Sequence, residues 1–287
     1  MKKEEQLSAS KTVASTSTDD SRRGVFPDWK DILAIFFVFL VVNLLSTVLV
    51  RALPGGAVAG WGIFGVYTVT LAATIAFALA RVRRKEGSAR GWLRLSFRGF
   101  NPTVILVGIV LMLAASVVIE PLIELFPSEW YDLVDQQLAN GGWAMFTAIV
   151  MAPLCEEMLF RGIIQGGITR KRGSWAGVLI ASAIFGIIHG IPQQIVAGFV
   201  LGIVIGLVYD RTGSLLSVVV LHAINNALSV FLSIFETDSG LEEQSLRELI
   251  GSPEWYWTLY GACALLLVAS LAGVIVSIRR SRRQEIA

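Results

Sequence analysis

Five ionisable residues sit where an apolar chain should not carry them: Glu156, Glu157, Arg161, His189 and His222. Each lies in or at the end of a run of apolar residues. An ionisable group in hydrocarbon costs roughly 2.5–3.5 kcal/mol or more, so each one suggests a working site. The two histidines are the only ones in the chain. Glu157 and Arg161 are four residues apart, with the acid first, which puts them on one helical face as an ion pair. Phe185 and His189 repeat that spacing, and so do His222 and Asn226. Glu156 has no such cation in its own helix, and the histidines are the groups free to reach it.

This set suits peptide hydrolysis, which needs an activated water and donors for the developing oxyanion. Glu156 is read as the general base, with His189 positioning the water. His222 and Asn226 then face the oxyanion, and the Glu157–Arg161 pair supports the helix that carries the base. The same Glu156, His189 and His222 also make a ligand set for zinc, with water as the fourth ligand. There is no HExxH, so a metal would draw its ligands from separate helices. Cys155 beside Glu156 raises the option of a thiol nucleophile. Adjacent helical positions point about 100° apart, and a thiol in hydrocarbon is hard to ionise, so it is read as a small packing residue. No G-x-S-x-G elbow is present.

The elements that must position these groups are membrane helices. The chain has 287 residues, 54% of them hydrophobic and 16% charged, with a mean hydropathy of +0.67. Only lipid can be the solvent for most of such a chain. Apolar runs at 32–50, 57–80, 102–119, 143–169, 174–190, 192–209, 214–235 and 255–278 predict an all-α, polytopic membrane protein of about eight transmembrane helices. A turn at Pro192 separates the fifth run from the sixth. The net charge of +2 suggests no nucleic-acid partner. The two cysteines, Cys155 and Cys263, form neither a disulfide framework nor a CxxC site.

Charge sets the expected orientation. The N-terminal tail with Lys30, the loop from Arg81 to Arg98, Arg170 to Arg172, Arg211 and the C-terminal tail hold 21 of the 24 Lys and Arg residues. That pattern puts both termini in the cytoplasm of a multi-pass cell-membrane protein. Residues 1–26, polar throughout, are read as a disordered tail, and 281–287 as a basic tail. Residues 27–280 form the membrane domain, with a catalytic core at about 143–235. The tryptophans fall near predicted helix ends, where an indole can reach the headgroups. The basic and aromatic stretch Arg90, Trp92, Arg94, Phe97, Arg98 is placed on the inner surface. Gly198, Gly202 and Gly206, four apart, read as a stripe for close helix packing.

Counting at about 1.5 Å per residue from the basic anchors Arg170, Arg172 and Arg211 puts Glu156, His189 and His222 at depths of roughly 21, 26 and 17 Å. Tilt can bring all three together near the middle of the bilayer. A competing class, a transporter or scaffold using its buried charges for ion passage or assembly, needs none of this convergence.

Three motifs then emerge in order: Glu156-Glu157-Met-Leu-Phe-Arg161 as EExxxR, Phe185-Gly-Ile-Ile-His189 as FxxxH, and His222-Ala-Ile-Asn-Asn226 as HxxxN. With them the chain resembles the CPBP group (CAAX proteases and bacteriocin-processing proteins, also called ABI), related to the type II CAAX prenyl endopeptidases. The resemblance implies an intramembrane endopeptidase in which the first glutamate and the FxxxH histidine activate water and the last His and Asn form the oxyanion hole. It leaves a metalloprotease and a glutamate-and-water mechanism both open. The expected partners are the lipid bilayer and a membrane-embedded or membrane-associated peptide substrate; the residues do not say whether it is prenylated.

Overall fold

The computed structural model describes residues 25–53, 60–93, 95, 100–127, 141–239 and 245–286. Among them every regular element is helical: α1 Trp29–Ala52, α2 Gly60–Glu86, α3 Pro102–Ile123, α4 Gly142–Arg172, α5 Ser174–Ile187, α6 Pro192–Thr212, α7 Leu215–Ser239, α8 Leu246–Ile250 and α9 Pro253–Ile286. Seven of these are long and apolar enough to cross a membrane, as a multi-pass membrane protein requires.

The exceptions are α8, with five residues, and α5. The 14 residues of α5 span about 21 Å, short of the roughly 30 Å of hydrocarbon. The apolar run at 174–190 reads longer than the helix because its last residues, Ile188 to Gly190, form a turn. His189 lies in that turn, where Gly190 at φ +74° reverses the chain and Pro192 starts α6. Helices α5 and α6 then pack back to back. A Cβ on Gly186 would lie only 2.6 Å from the Ile195 carbonyl oxygen.

Helix α4 is the centre of the bundle. Residues 159–165 are all buried, and the helix packs against α2, α5 and α7. It is not regular. Two π-helical stretches, Thr147–Met151 and Met158–Gln165, flank a single α-helical turn, Ala152–Glu157, that carries both glutamates. Such π segments re-aim side chains and recur at functional sites.

Helix α1 is held at its start by a reciprocal cap between Asp28 and Asp31. Asp31, fully buried, takes Arg81 Nε at 2.9 Å and Lys85 Nζ at 2.5 Å, locking α1 antiparallel to α2. Beyond this clamp α1 shows almost its whole length outward, with Phe37, Leu44 and Leu49 exposed as lipid-facing residues would be. At the other end of the bundle, Glu120 of α3 accepts the Leu246 N–H at 2.7 Å and the Tyr256 hydroxyl at 2.8 Å, tying α8 and α9 to α3.

Several boundaries differ from expectation. Phe26 is fully buried, 5.5 Å edge-on from Trp92, so the folded body starts inside the stretch read as a tail. Trp92 itself is buried between Phe26 and the Arg170 guanidinium, 3.7 Å above its ring. Arg94, Phe97 and Arg98 of the same stretch lie outside the described residues, as do residues 1–24. Helix α9 runs on to Ile286, so the basic tail is helical.

Candidate active site

The site is built around the glutamate turn of α4. Glu156 and Glu157 are both buried, and each meets a different nitrogen of His222 from α7. Glu157 Oε1 lies 2.7 Å from His222 Nδ1, and Glu156 Oε2 lies 3.8 Å from His222 Nε2. A carboxylate can only accept, so the proton of that shorter bond sits on Nδ1. The gap to Glu156 is too long for a direct hydrogen bond and is of the length a water bridges.

Glu157 also faces Arg161, whose Nε stands 3.1 Å from Oε2. This guanidinium is fully buried, donates to the Gly202 carbonyl oxygen at 3.2 Å, and lies 4.7 Å over the Phe185 ring. One turn on, Gln165 donates to the Gly206 carbonyl oxygen at 2.8 Å. The glycine stripe of α6 thus presents bare backbone carbonyls to two polar side chains of α4 spaced as the glycines are. Deep ionisable groups survive only with such partners.

Phe185 is a hub. Its ring stands edge-on to His189 at 4.9 Å and to His222 at 5.8 Å, with Phe160 at 5.1 Å. The two imidazoles therefore share one aromatic neighbour. His189, half-buried, directs Nδ1 to its own helix at the Phe185 carbonyl oxygen, 2.7 Å away. With Nδ1 donating there, Nε2 is its free acceptor.

Asn226 donates from Nδ2 to the Ala148 carbonyl oxygen at 2.9 Å. The cause lies in α4. The Ala152 N–H bonds back to Thr147 in the π register, and the next residue, Pro153, has no N–H, so Ala148 is left without its ordinary helical donors. Asn225 donates to Asn226 Oδ1 at 3.3 Å, which fixes the amide's orientation and leaves one Nδ2 hydrogen for a ligand.

Two participants were not visible from spacing. Tyr67 of α2 donates its hydroxyl to Glu156 Oε1 in a short hydrogen bond. Its only sequence signal was a phenol in an apolar run, which must find an acceptor when buried. The link from Glu157 to His222 joins two helices and so escapes any rule of in-helix spacing. Cys155 is a free, buried thiol. Among the described residues no group of three or more His, Cys, Asp or Glu is placed to hold a metal ion. Glu156 and His222 come together, and both imidazoles stand edge-on beside Phe185.

Fold and site together define a polytopic helical membrane protein with a buried carboxylate and imidazole centre. Residues 139–228, from just before α4 through the motif part of α7, match the type II CAAX prenyl endopeptidase Rce1-like family. A Bacillus subtilis (strain 168) protein titled "Putative membrane peptidase YdiL" is 29% identical over 98 residues, 34% of this chain and 40% of that protein. This chain therefore spans well under half the length of that curated relative. No solved structure matches it significantly. The three motifs lie inside the matched segment, and the family match and the relative support a likeness to the CPBP intramembrane proteases.

Proposed function

We propose that this protein is an intramembrane endopeptidase of the CAAX-protease type, with Glu156 as the general base. The observation that carries this reading is the buried relay from Arg161 through Glu157 and His222 to Glu156, which ends on a carboxylate oxygen 3.8 Å from an imidazole nitrogen.

A water between Glu156 Oε2 and the imidazole nitrogens loses a proton to Glu156 as its oxygen bonds to the scissile carbonyl carbon. His189, with Nδ1 committed to its own backbone, offers Nε2 to hold that water. The carbonyl oxygen becomes an oxyanion, facing the remaining Asn226 amide hydrogen and His222 Nε2. Donation from Nε2 while Nδ1–H is held by Glu157 needs an imidazolium, and since Glu156 by then carries the water's proton, the Glu157 carboxylate and the oxyanion itself are the negative charges beside it. Collapse of the adduct breaks the C–N bond, and Glu156 returns its proton to the leaving nitrogen. The substrate class is a peptide segment presented at membrane depth. No step above is routed through a metal.

Purified wild type and Glu156→Gln, reconstituted in liposomes, would be given a fluorogenic prenylated peptide and a library of apolar membrane peptides. Wild type is expected to cleave at least one, and Glu156→Gln to lose about 10²- to 10⁴-fold in rate. Cleavage that survives the substitution would remove Glu156 from the reaction, and a folded wild type that cleaves neither class would overturn the enzymatic reading.

A further inference from the structure

Every group given a role so far lies within residues 139–228, the segment that matches the family. The direct hydrogen bond to the reacting carboxylate comes from elsewhere. Tyr67 sits on α2, and its hydroxyl donates to Glu156 Oε1. The other carboxylate oxygen, Oε2, stands 3.8 Å from His222 Nε2. Glu156 is 6% exposed, so bulk water does not make up the difference.

A general base must offer one oxygen, in one direction, to the water it deprotonates. A carboxylate held at neither oxygen turns about its side-chain bonds and loses that direction. Fixing Oε1 leaves Oε2 as the oxygen turned to the imidazole and the water. We infer that Tyr67 is the positioning residue of Glu156, so that the working site includes α2 as well as the helices that carry the motifs. This rests on Glu156 being the general base. The phenol transfers nothing: it keeps its proton while Oε2 gains one from water and gives it up to the leaving nitrogen.

The fold supports the placement. The Tyr67 ring packs into the core cluster that contains Cys155 and Phe160 of α4. Along α2, Thr70, Leu71 and Thr74 are buried on the same side, with the Thr74 hydroxyl satisfied by the Thr70 carbonyl at 2.7 Å. The rotation of α2 that aims Tyr67 at α4 is further held by Arg81 and Lys85 on buried Asp31. Two helices outside the matched segment are thus committed to placing one hydroxyl.

The bland alternative is that Tyr67 pins α2 to α4 and does nothing for the reaction. Both readings predict some loss of stability in Tyr67→Phe, so the kinetics must be read well below the melting temperature. Positioning predicts that kcat of Tyr67→Phe falls roughly tenfold to a hundredfold, the value of a hydrogen bond to a charged group, with KM unchanged. It also predicts that added phenol restores kcat of Tyr67→Ala while toluene, which fills the space without donating, does not. If wild type cleaves and Glu156→Gln does not, yet Tyr67→Phe keeps the wild-type kcat, Tyr67 is a pin only and the inference falls. Equal rescue by phenol and toluene overturns it too. Should Tyr67→Ala fail to fold, Tyr67→Phe decides alone. A folded wild type that cleaves nothing overturns the peptidase reading itself, and this inference with it.

Discussion

Replacing Arg161 with Met should destabilise the protein far more than replacing Arg161 and Glu157 together. Arg161 is fully buried, and so is Glu157, whose Oε2 faces the guanidinium at 3.1 Å. Met keeps much of the side-chain volume but leaves the Glu157 carboxylate with His222 Nδ1 as its single close partner. Removing one member of a buried ion pair costs about 3–5 kcal/mol, because the remaining charge is stranded. In the double variant Glu157→Gln/Arg161→Met no charge is left. What remains is the donation to the Gly202 carbonyl, about 1 kcal/mol, and the contact over Phe185, about 0.5–2 kcal/mol. The double variant should therefore recover about 1.5–2 kcal/mol of the single variant's loss. Reversible unfolding in mixed detergent, followed by helical circular dichroism for all four members of the cycle, measures this. A double variant no more stable than Arg161→Met would refute the account of Arg161 as the counter-charge of Glu157.

The unpaired carbonyl of Ala148 predicts that Asn226→Ala costs about 1–3 kcal/mol, and that Pro153→Ala in that background restores part of it by supplying an N–H; thermal melts of the pair are the check. Gly186→Ala should destabilise by about 1–3 kcal/mol, since its Cβ would meet the backbone of Ile195 at 2.6 Å and of Phe199 at 3.0 Å; a melt unchanged from wild type would count against the α5–α6 contact. Asp28 is held down at about 2 by the Lys85 ammonium and then by the Asp31 N–H. A depressed carboxyl stabilises above its usual 3.8 and loses that contribution as pH falls through about 2, so melts between pH 4 and 2 should be flatter in Asp28→Asn, by under about 1 kcal/mol for so exposed a pair. Bound zinc, measured by atomic emission, should not depend on both histidines as the donors now stand; stoichiometric zinc lost in both His189→Ala and His222→Ala would mean that the three donors close around an ion.

Much of this site is legible in the sequence because lipid makes ionisable residues conspicuous. Counting residues from the basic anchors brings Glu156, His189 and His222 towards one level, and the structure has Glu156 3.8 Å from His222, with both imidazoles beside Phe185. In-helix spacing was enough to pair Glu157 with Arg161. Those same rules are blind across helices. They could not show that Glu157 holds His222, that Tyr67 reaches Glu156, or that Gly202 and Gly206 are acceptors for Arg161 and Gln165. Hydropathy failed at the fifth helix for a physical reason. A turn next to an apolar helix can be as apolar as the helix itself, so Ile188 and Gly190 extend the run without extending the helix. The π register of α4 leaves no trace in a pattern of almost uninterrupted apolar residues.

The division of labour between two adjacent glutamates follows from the neighbours each one meets. Consecutive positions on a helix point about 100° apart, so Glu156 and Glu157 cannot share one environment. Glu157 turns to Arg161 and to His222 Nδ1, and becomes the anchored member, with both oxygens close to a cationic or donating group. Glu156 turns to α2, where a neutral phenol holds one oxygen, and leaves the other across a gap from His222 Nε2. A base needs a free lone pair and a nearby water, and an anchor needs neither. One imidazole touches both acids because its two nitrogens point apart, so any shift of the α4 turn moves base and anchor together. Pro153, which frees the carbonyl that Asn226 takes up, lies in that same turn. On the proposed reading, base, anchor and oxyanion donor are therefore all referred to one α-helical turn set between two π segments.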